Sequence, residues 1–204
     1  MDLILIACSH KKIDGGVPNY HESRLKNMLS PLHYNDLMTA RSELANEFHL
    51  PLSLDLGSRS QFQNIFYLPS YQRYSGKVYE KSNFAAIFPT VQEKAVIIVS
   101  ALYGLLDAHD SIRDYDIEMR YTRHFWQLHS LGEILEDYIL KLRPNRVHDL
   151  LSNQYRLSLK PFPITDRFER FGINYIEYNY PGQGMGALWH RGNDLKELLL
   201  MNNA

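Results

Sequence analysis

The stretch LILIACSHKK, residues 3–12, places five apolar residues directly before a thiol, a hydroxyl, an imidazole and two ammonium groups. A short, nearly continuous apolar run is typical of a parallel strand that is covered on both faces. A second such run occupies residues 95–101, and further strand-like runs lie at 146–151 and 173–180. We therefore predict four strands, the first of which ends in a cluster of polar side chains.

Helical patterns separate these strands. One apolar stripe lies within residues 37–48, and a longer one runs through 125–142 and ends before Pro144. Asn193 is a plausible N-cap for a last helix. Strands that alternate with helices predict an α/β fold, with a mainly parallel sheet and helices on both faces.

The 204 residues have the size of one domain, so we expect 1–204 to form a single α/β domain. Residues 49–88 differ from the rest, because they are rich in Ser, Gln, Asn, Tyr and Phe and show weak periodicity. We predict an irregular insertion with short helices there. The motif GQGMG at 182–186 departs from the dinucleotide-binding fingerprint and is predicted to be a flexible turn.

The composition narrows the range of functions. No apolar run approaches the ~20 residues that span a bilayer, so we expect a cytoplasmic protein without a membrane partner. Cys8 is the only cysteine, and the nine histidines lack the spacing of metal ligands. We expect neither a metal nor a cofactor.

Nucleic-acid binding would have to come from a local basic patch, because the net charge is only −1. Residues 141–170 carry seven Lys or Arg against three acidic residues, although an ordinary solvated face explains this excess about as well. The 14 Tyr, 9 Phe and 2 Trp would suit stacking on bases, but most of these rings are expected in the core.

Three polar strand ends predict a ligand site, since α/β sheets bind ligands beyond the carboxyl ends of their strands. The first end is CSHKK at 8–12, the second begins SALYGLL at 100–106, and the third is SNQY at 152–155. The alternative for each is an ordinary polar loop. Cys8 is interpreted as a packing residue rather than a nucleophile.

The loop after the second strand is rich in charge and suits acid–base chemistry. It carries Asp114, Asp116 and Glu118 close to Arg113 and Arg120. We prefer Asp116 as the functional carboxylate. The alternative is a surface loop whose charges neutralise one another.

The motifs together resemble the YaaA family of peroxide-stress proteins and its shorter relatives of unassigned function. The first strand is similar to the family's LILISPAKT, with Lys11 in the place of the family lysine and Cys8 where a serine stands. The other similar segments are GKVY (76–79), SALYGLL (100–106), YDIEM (115–119) and LLSNQYRLSLKP (150–161). A fainter similarity reaches the transfer domain of archaeosine synthases, which implies a uracil-DNA-glycosylase-like architecture.

The resemblance implies a nucleic-acid-binding protein, with DNA expected rather than RNA, that extrudes one nucleotide and cleaves or exchanges its N-glycosidic bond. Asp116 would stabilise an oxocarbenium-like sugar or orient water, while Lys11 and His10 hold the charge of the leaving base. Tyr103 or Tyr115 would stack on the base, which is expected to be a modified one. The expected pocket residues are Cys8, Ser9, Ser100, Tyr103, Gly104, Tyr115, Asn153 and Tyr155. The expected phosphate contacts are Lys12, Arg113, Arg120, Arg123 and Arg156.

Two alternatives stay open at the level of sequence. The first is a DNA-binding protein of the oxidative stress response that performs no chemistry of its own. The second is an enzyme that acts on free nucleosides or nucleobases, which the nearly neutral net charge would suit. The sequence leaves the oligomeric state open as well.

Overall fold

A five-stranded sheet with the order β4-β3-β1-β6-β7 forms the centre of the computed structural model, which describes residues 1–60, 64–162, 165–184 and 186–201. β1 pairs in parallel with both β3 and β6, and β6 pairs in parallel with β7. β4 is antiparallel to β3 at one edge. The strands are β1 (Asp2–Ala7), β2 (Leu68–Pro69), β3 (Lys94–Ser100), β4 (Gly104–Asp107), β5 (Ser111–Ile112), β6 (Arg146–Asp149) and β7 (Asn174–Glu177).

The prediction of an α/β fold with a mainly parallel sheet is confirmed. Leu3, Ile4 and Leu5 are all fully buried, although successive residues of a strand point to opposite faces. Both faces of β1 are therefore covered, which is why its sequence is apolar throughout rather than alternating. β4, β2 and β5 are additional to the four predicted strands.

Ten α-helices and two short 3₁₀ turns are assigned within the described ranges. The helices are α1 (Leu25–Met28), α2 (Pro31–Glu47), α3 (Ser70–Arg73), α4 (Lys77–Ser82), α5 (Phe84–Ile87), α6 (Met119–Leu128), α7 (Leu131–Leu142), α8 (Asn153–Ser158), α9 (Thr165–Arg170) and α10 (Gly186–Leu200). The 3₁₀ turns are Leu54–Leu56 and Phe88–Thr90. None of the described helices has the length and apolar character that a membrane span requires.

Two helix predictions are corrected. The apolar stripe over 125–142 belongs to two helices, α6 and α7, because Ser130 between them adopts a left-handed backbone with φ 52°. The last helix begins at Gly186, not after an N-cap at Asn193. Met185, in the predicted turn at 182–186, lies outside the described residues.

The insertion predicted at 49–88 contains the 3₁₀ turn Leu54–Leu56, β2 and three short helices. One buried arginine, Arg73, joins this insertion to the loop that follows β1. The Arg73 guanidinium donates hydrogen bonds to the backbone carbonyls of Ile13, Gly15 and Phe66. These bonds stabilise the loops that Arg73 joins, and with 1% of the residue exposed it is not available at the surface. Its buried Nε has no hydrogen-bond partner among the described residues.

Candidate functional site

A cavity of about 600 Å³ opens at the carboxyl ends of the parallel strands. It lies between β1 and β6, where the connections from β1 change direction across the sheet, and such switch points are the usual ligand sites of α/β sheets. We call it the strand-end cavity. Its lining residues are Ile6, Ala7, Cys8, Ser9, His10, Lys11, Gly76, Lys77, Val78, Tyr79, Glu80, Leu150, Ser152, Tyr155, Leu188 and Arg191.

Two tyrosines, Tyr79 and Tyr155, form the aromatic part of the cavity lining. The Tyr79 hydroxyl donates a 2.7 Å hydrogen bond to the carbonyl of Ala7 at the end of β1. The Tyr155 hydroxyl lies 3.3 Å from Cys8 Sγ, so the start of α8 is tied to the residue that follows β1. Burial raises the pKa of both tyrosines, which keeps their hydroxyl groups protonated.

Gly76 allows α4 to approach the end of β1 closely. A Cβ atom at position 76 would lie 2.2 Å from Ser9 Oγ, so only glycine fits while Ser9 keeps its position. The hydroxyl groups of Ser9 and Ser152 line the cavity and form no hydrogen bond with any described residue. They are available to bind polar groups of a ligand.

Cationic side chains outnumber acidic ones around the cavity. Lys11, Lys77 and Arg191 line it, against the single carboxylate of Glu80. Lys11 Nζ lies 2.6 Å from Glu80 Oε1, and both side chains are more than half exposed. This pair therefore keeps its charges in contact with water and contributes little to stability.

Asp116 lies in a neighbouring depression of about 340 Å³, which we call the side depression; it is lined by His10, Lys12, Asp114, Tyr115 and Asp116. His10 lines both hollows, and its Nδ1 is 3.3 Å from Asp116 Oδ1. Lys12 Nζ lies 4.1 Å from the centre of the Tyr115 ring, and burial lowers the pKa of this lysine. His10 is thus the connection between Asp116 and the strand-end cavity.

The end of β3 is filled by tyrosines instead of opening into the cavity. The Tyr115 hydroxyl lies 2.8 Å from both Ser100 Oγ and the Tyr74 hydroxyl. All three residues are buried, and burial raises the pKa of Tyr115 and Tyr74. The group is a neutral hydrogen-bonded network between strand and loop.

The sequence model of the family described as "Peroxide stress protein YaaA" matches residues 3–179. The chain belongs to the YaaA family. No curated protein matches the chain.

The YaaA match includes all seven strands except for Asp2 at the start of β1, and most of the strand-end cavity. It confirms the resemblance to the YaaA family seen in the motifs. α10 lies beyond the matched residues, yet its side chains Leu188 and Arg191 line the cavity. This YaaA-family chain therefore completes its cavity with a helix outside the part that the family model describes.

Several predicted pocket residues are buried or lie elsewhere in this YaaA-family fold. Tyr103 cannot stack on a base, because it is fully buried and its hydroxyl donates a 2.6 Å hydrogen bond to Asp55. Gly104 is buried in β4, opposite Ser100 of β3. Asn153 is exposed at the start of α8 and does not line the cavity. Ser100 and Tyr115 are buried as described above.

Two predicted phosphate contacts are already occupied. The Arg113 guanidinium makes two hydrogen bonds to Asp55, of 2.5 and 2.9 Å, and only 5% of the residue is exposed. Arg156 donates to Asp149 at 2.7 Å and to Glu177 at 2.8 Å. Neither guanidinium is free for phosphate, since removing it from a buried carboxylate would leave that charge unpaired.

The other predicted cations remain accessible. Arg120 is exposed and pairs with Glu118 at 2.9 Å, and Arg123 is exposed on α6. Lys12 is half-buried in the side depression. Across the described ranges, no group of three or more His, Cys, Asp or Glu side chains is arranged to hold a metal ion.

Sequence reasoning missed the side of the cavity that α4 and α10 build. GKVY at 76–79 stood out as a family-like segment, but its position over the end of β1 depends on tertiary packing. Arg191 had no signal at all, because α10 carries no motif. The unassigned lining residues with polar or aromatic groups are Lys77, Tyr79, Glu80, Ser152 and Arg191.

Proposed function

We propose that this protein binds a nucleic-acid strand, DNA in the first instance, and takes one extruded base into the strand-end cavity, where the N-glycosidic bond is cleaved or exchanged. The observation that carries the proposal is the cavity itself, with tyrosines along its wall and three cationic side chains around it. A heterocycle fits the aromatic interior, and a sugar–phosphate backbone fits the cationic surroundings.

The size and the energetics agree with this occupant. A volume of about 600 Å³ lies within the range of small-molecule sites. Extruding a nucleotide costs a few kcal/mol, least where the base is damaged or unpaired. Stacking on Tyr155 would return ~1–3 kcal/mol, in place of the buried Tyr103 and Tyr115.

The reaction that fits is hydrolysis with an oxocarbenium-like transition state. In this proposal protonated His10 gives its proton to the leaving base, and Asp116 positions His10 through the 3.3 Å contact. Glu80 lines the cavity, so it takes the role of the carboxylate that faces the sugar and accepts a proton from the attacking water. Lys11 lies 2.6 Å from Glu80 and faces the negative charge that develops on the base.

We also propose that the whole chain forms one domain of uracil-DNA-glycosylase-like architecture. Support comes from the parallel strand core with its cavity at the strand ends. The buried apolar residues form one cluster that extends from Leu3 to Leu199.

A second candidate is binding without chemistry in the response to peroxide. The description of the matched family favours it, and the exposure of both Glu80 and Asp116 weakens the case for a desolvated catalytic carboxylate. A third is an enzyme on free nucleosides, which fits the engagement of Arg113 and Arg156 in internal ion pairs.

The test is to incubate the protein with plain DNA and with DNA that carries modified bases, and then to heat the DNA in alkali. Strand breaks at the modified positions are expected, because alkali cleaves abasic sites. Glu80→Gln should abolish the breaks and preserve a gel shift, while the matched control Glu47→Gln, exposed at the end of α2, should retain both.

The other outcomes separate the candidates. A gel shift without breaks supports the binding-only role. Release of base from free nucleosides, without a gel shift, supports the third candidate. Full cleavage by Glu80→Gln would contradict the role assigned to this carboxylate.

A further inference from the structure

Arg191 is a cation in the strand-end cavity that lacks an anionic partner among the residues that the structure describes. It lies on α10, is half-buried, and lines the cavity beside Leu188. No carboxylate of the described residues lies within 4.0 Å of its guanidinium. Its Nε is buried and has no hydrogen-bond partner among the described residues. Buried polar atoms without a partner are rare in native structures, and for an atom that lines a cavity a bound ligand is one explanation.

The carboxylates near Arg191 on the sheet and on α10 accept hydrogen bonds from other residues. Asp149 accepts hydrogen bonds from Arg156, from the Tyr175 hydroxyl and from the backbone N–H of Leu151. Asp194, one turn along α10, accepts a hydrogen bond from the Tyr180 hydroxyl. The fold therefore gives these acids other donors and leaves the Arg191 guanidinium for a group from outside the chain.

The guanidinium of Arg191 is also held in place. It lies 4.9 Å from the centre of the Tyr180 ring, which provides a flat cation–π support. Burial lowers the pKa of Arg191, so the charged form is at a disadvantage that an added anion would relieve. Holding a partly desolvated cation without a counterion is unfavourable unless a ligand completes the pair.

We propose that Arg191 binds the phosphate group of the nucleotide whose base occupies the strand-end cavity. This inference rests on the proposed function and adds the chemical class of the ligand, a phosphorylated nucleoside. The planar guanidinium offers two parallel N–H donors that match the oxygen atoms of a phosphate. Lys77, which also lines the cavity, supplies a second positive charge for the adjacent phosphate of a strand.

The experiment compares the affinity for a panel of the four common nucleosides with that for their 5′-monophosphates, and for a short single strand. The wild-type protein should bind a monophosphate about tenfold or more tightly than the matching nucleoside. Arg191→Gln should bring this ratio close to one and weaken binding of the strand by a similar factor. Lys196→Gln, an exposed cation on the same helix, should change neither quantity.

Each result supports or contradicts the binding of phosphate by Arg191. A ratio that survives in Arg191→Gln overturns the inference and leaves the proposed function intact, because the base is still bound. A wild-type protein that binds no nucleoside, no monophosphate and no strand overturns both. Denaturant unfolding of the variants checks that a lost ratio does not reflect loss of the fold, and Arg191→Lys should recover part of the preference through its charge alone.

Discussion

Arginine residues near the carboxyl edge of the sheet differ by the partners that the fold gives them. Arg113 binds Asp55, which is 58 positions away along the chain, and Arg156 binds Asp149 at the end of β6. Arg191 has no such acid within 4.0 Å in the described part of the chain. A sequence shows the charge of each side chain but not its partner, so the internal ion pairs could not be distinguished from free cations beforehand.

Asp110 provides a prediction about pH. Burial, together with the nearby carboxylate of Asp107, raises the pKa of Asp110 from 3.8 to about 6, despite hydrogen bonds from Ser23 Oγ and the Arg24 N–H. Between these values the folded state holds a proton that the unfolded chain has released. The free energy of unfolding should therefore fall by up to about 3 kcal/mol as the pH rises through this window.

The measurement is urea unfolding from about pH 4 to 7. Asp110→Asn should remove this part of the pH dependence, because the amide does not titrate. Asp36→Asn, an exposed position on α2, should keep the wild-type slope. An unchanged slope in Asp110→Asn would show that this carboxyl group is not the one that titrates.

At the scale of elements, α10 depends on close packing against α4. A Cβ atom at Gly192 would lie 2.7 Å from Lys81 Cβ and 3.1 Å from the carbonyl oxygen of Val78. Gly192→Ala should therefore push the helices apart and lower the free energy of unfolding by ~1–3 kcal/mol. Asn193→Ala, at the exposed neighbouring position, is the control.

Chemical denaturation measures the change in stability, and hydrogen exchange along α10 shows whether the helix opens locally. We expect faster exchange in α10 than in β1 for Gly192→Ala, because only the cavity wall is loosened. Equal stability and equal exchange for the two variants would mean that α4 yields to the added methyl group.

The strands were predictable to the extent that burial shaped their composition. β1 and β3 are covered on both faces, and their sequences are apolar runs. β4 follows β3 after only three residues, so the motif SALYGLL did not show that a separate strand begins within it. The break at Ser130 was hidden because the apolar stripe continues from α6 into α7. Local patterns report which face is buried, but they do not report where the backbone turns.

The candidate site was predictable only in part, for a similar reason. The ends of β1 and β6 do meet in one cavity, as the topology of parallel strands requires. The end of β3 does not, because Tyr115 and Tyr74 close over Ser100 with their hydroxyl groups. Tertiary packing decides which polar strand end is open and which is filled.

For the whole molecule, the distribution of charge sets how strongly salt should affect strand binding. The net charge is −1, and the cations that line the cavity are Lys11, Lys77 and Arg191. Lys11 is paired with Glu80, so contacts of Lys77 and Arg191 with about two phosphates of a single strand predict a slope of about −1.4 for the logarithm of affinity against that of salt concentration.

Fluorescence anisotropy of a labelled single strand at about 50 to 200 mM salt measures this slope. Lys77→Gln should make it shallower by about 0.7, while Lys160→Gln, at an exposed position that does not line the cavity, should leave it unchanged. A slope steeper than about −5 would require a much larger basic surface than the strand-end cavity offers.

The contribution of α10 to the cavity has a consequence for how ligand choice can diverge. Apart from Asp2, the sheet lies within residues 3–179, as do Tyr79, Tyr155 and the Lys11–Glu80 pair. The wall formed by α10 follows them in the chain. A different helix packed on α4 in the place of α10 would leave the rest of the cavity lining unchanged and present other side chains to the ligand. Replacement of α10 alone can then change which ligand the cavity prefers, while the seven strands stay as they are.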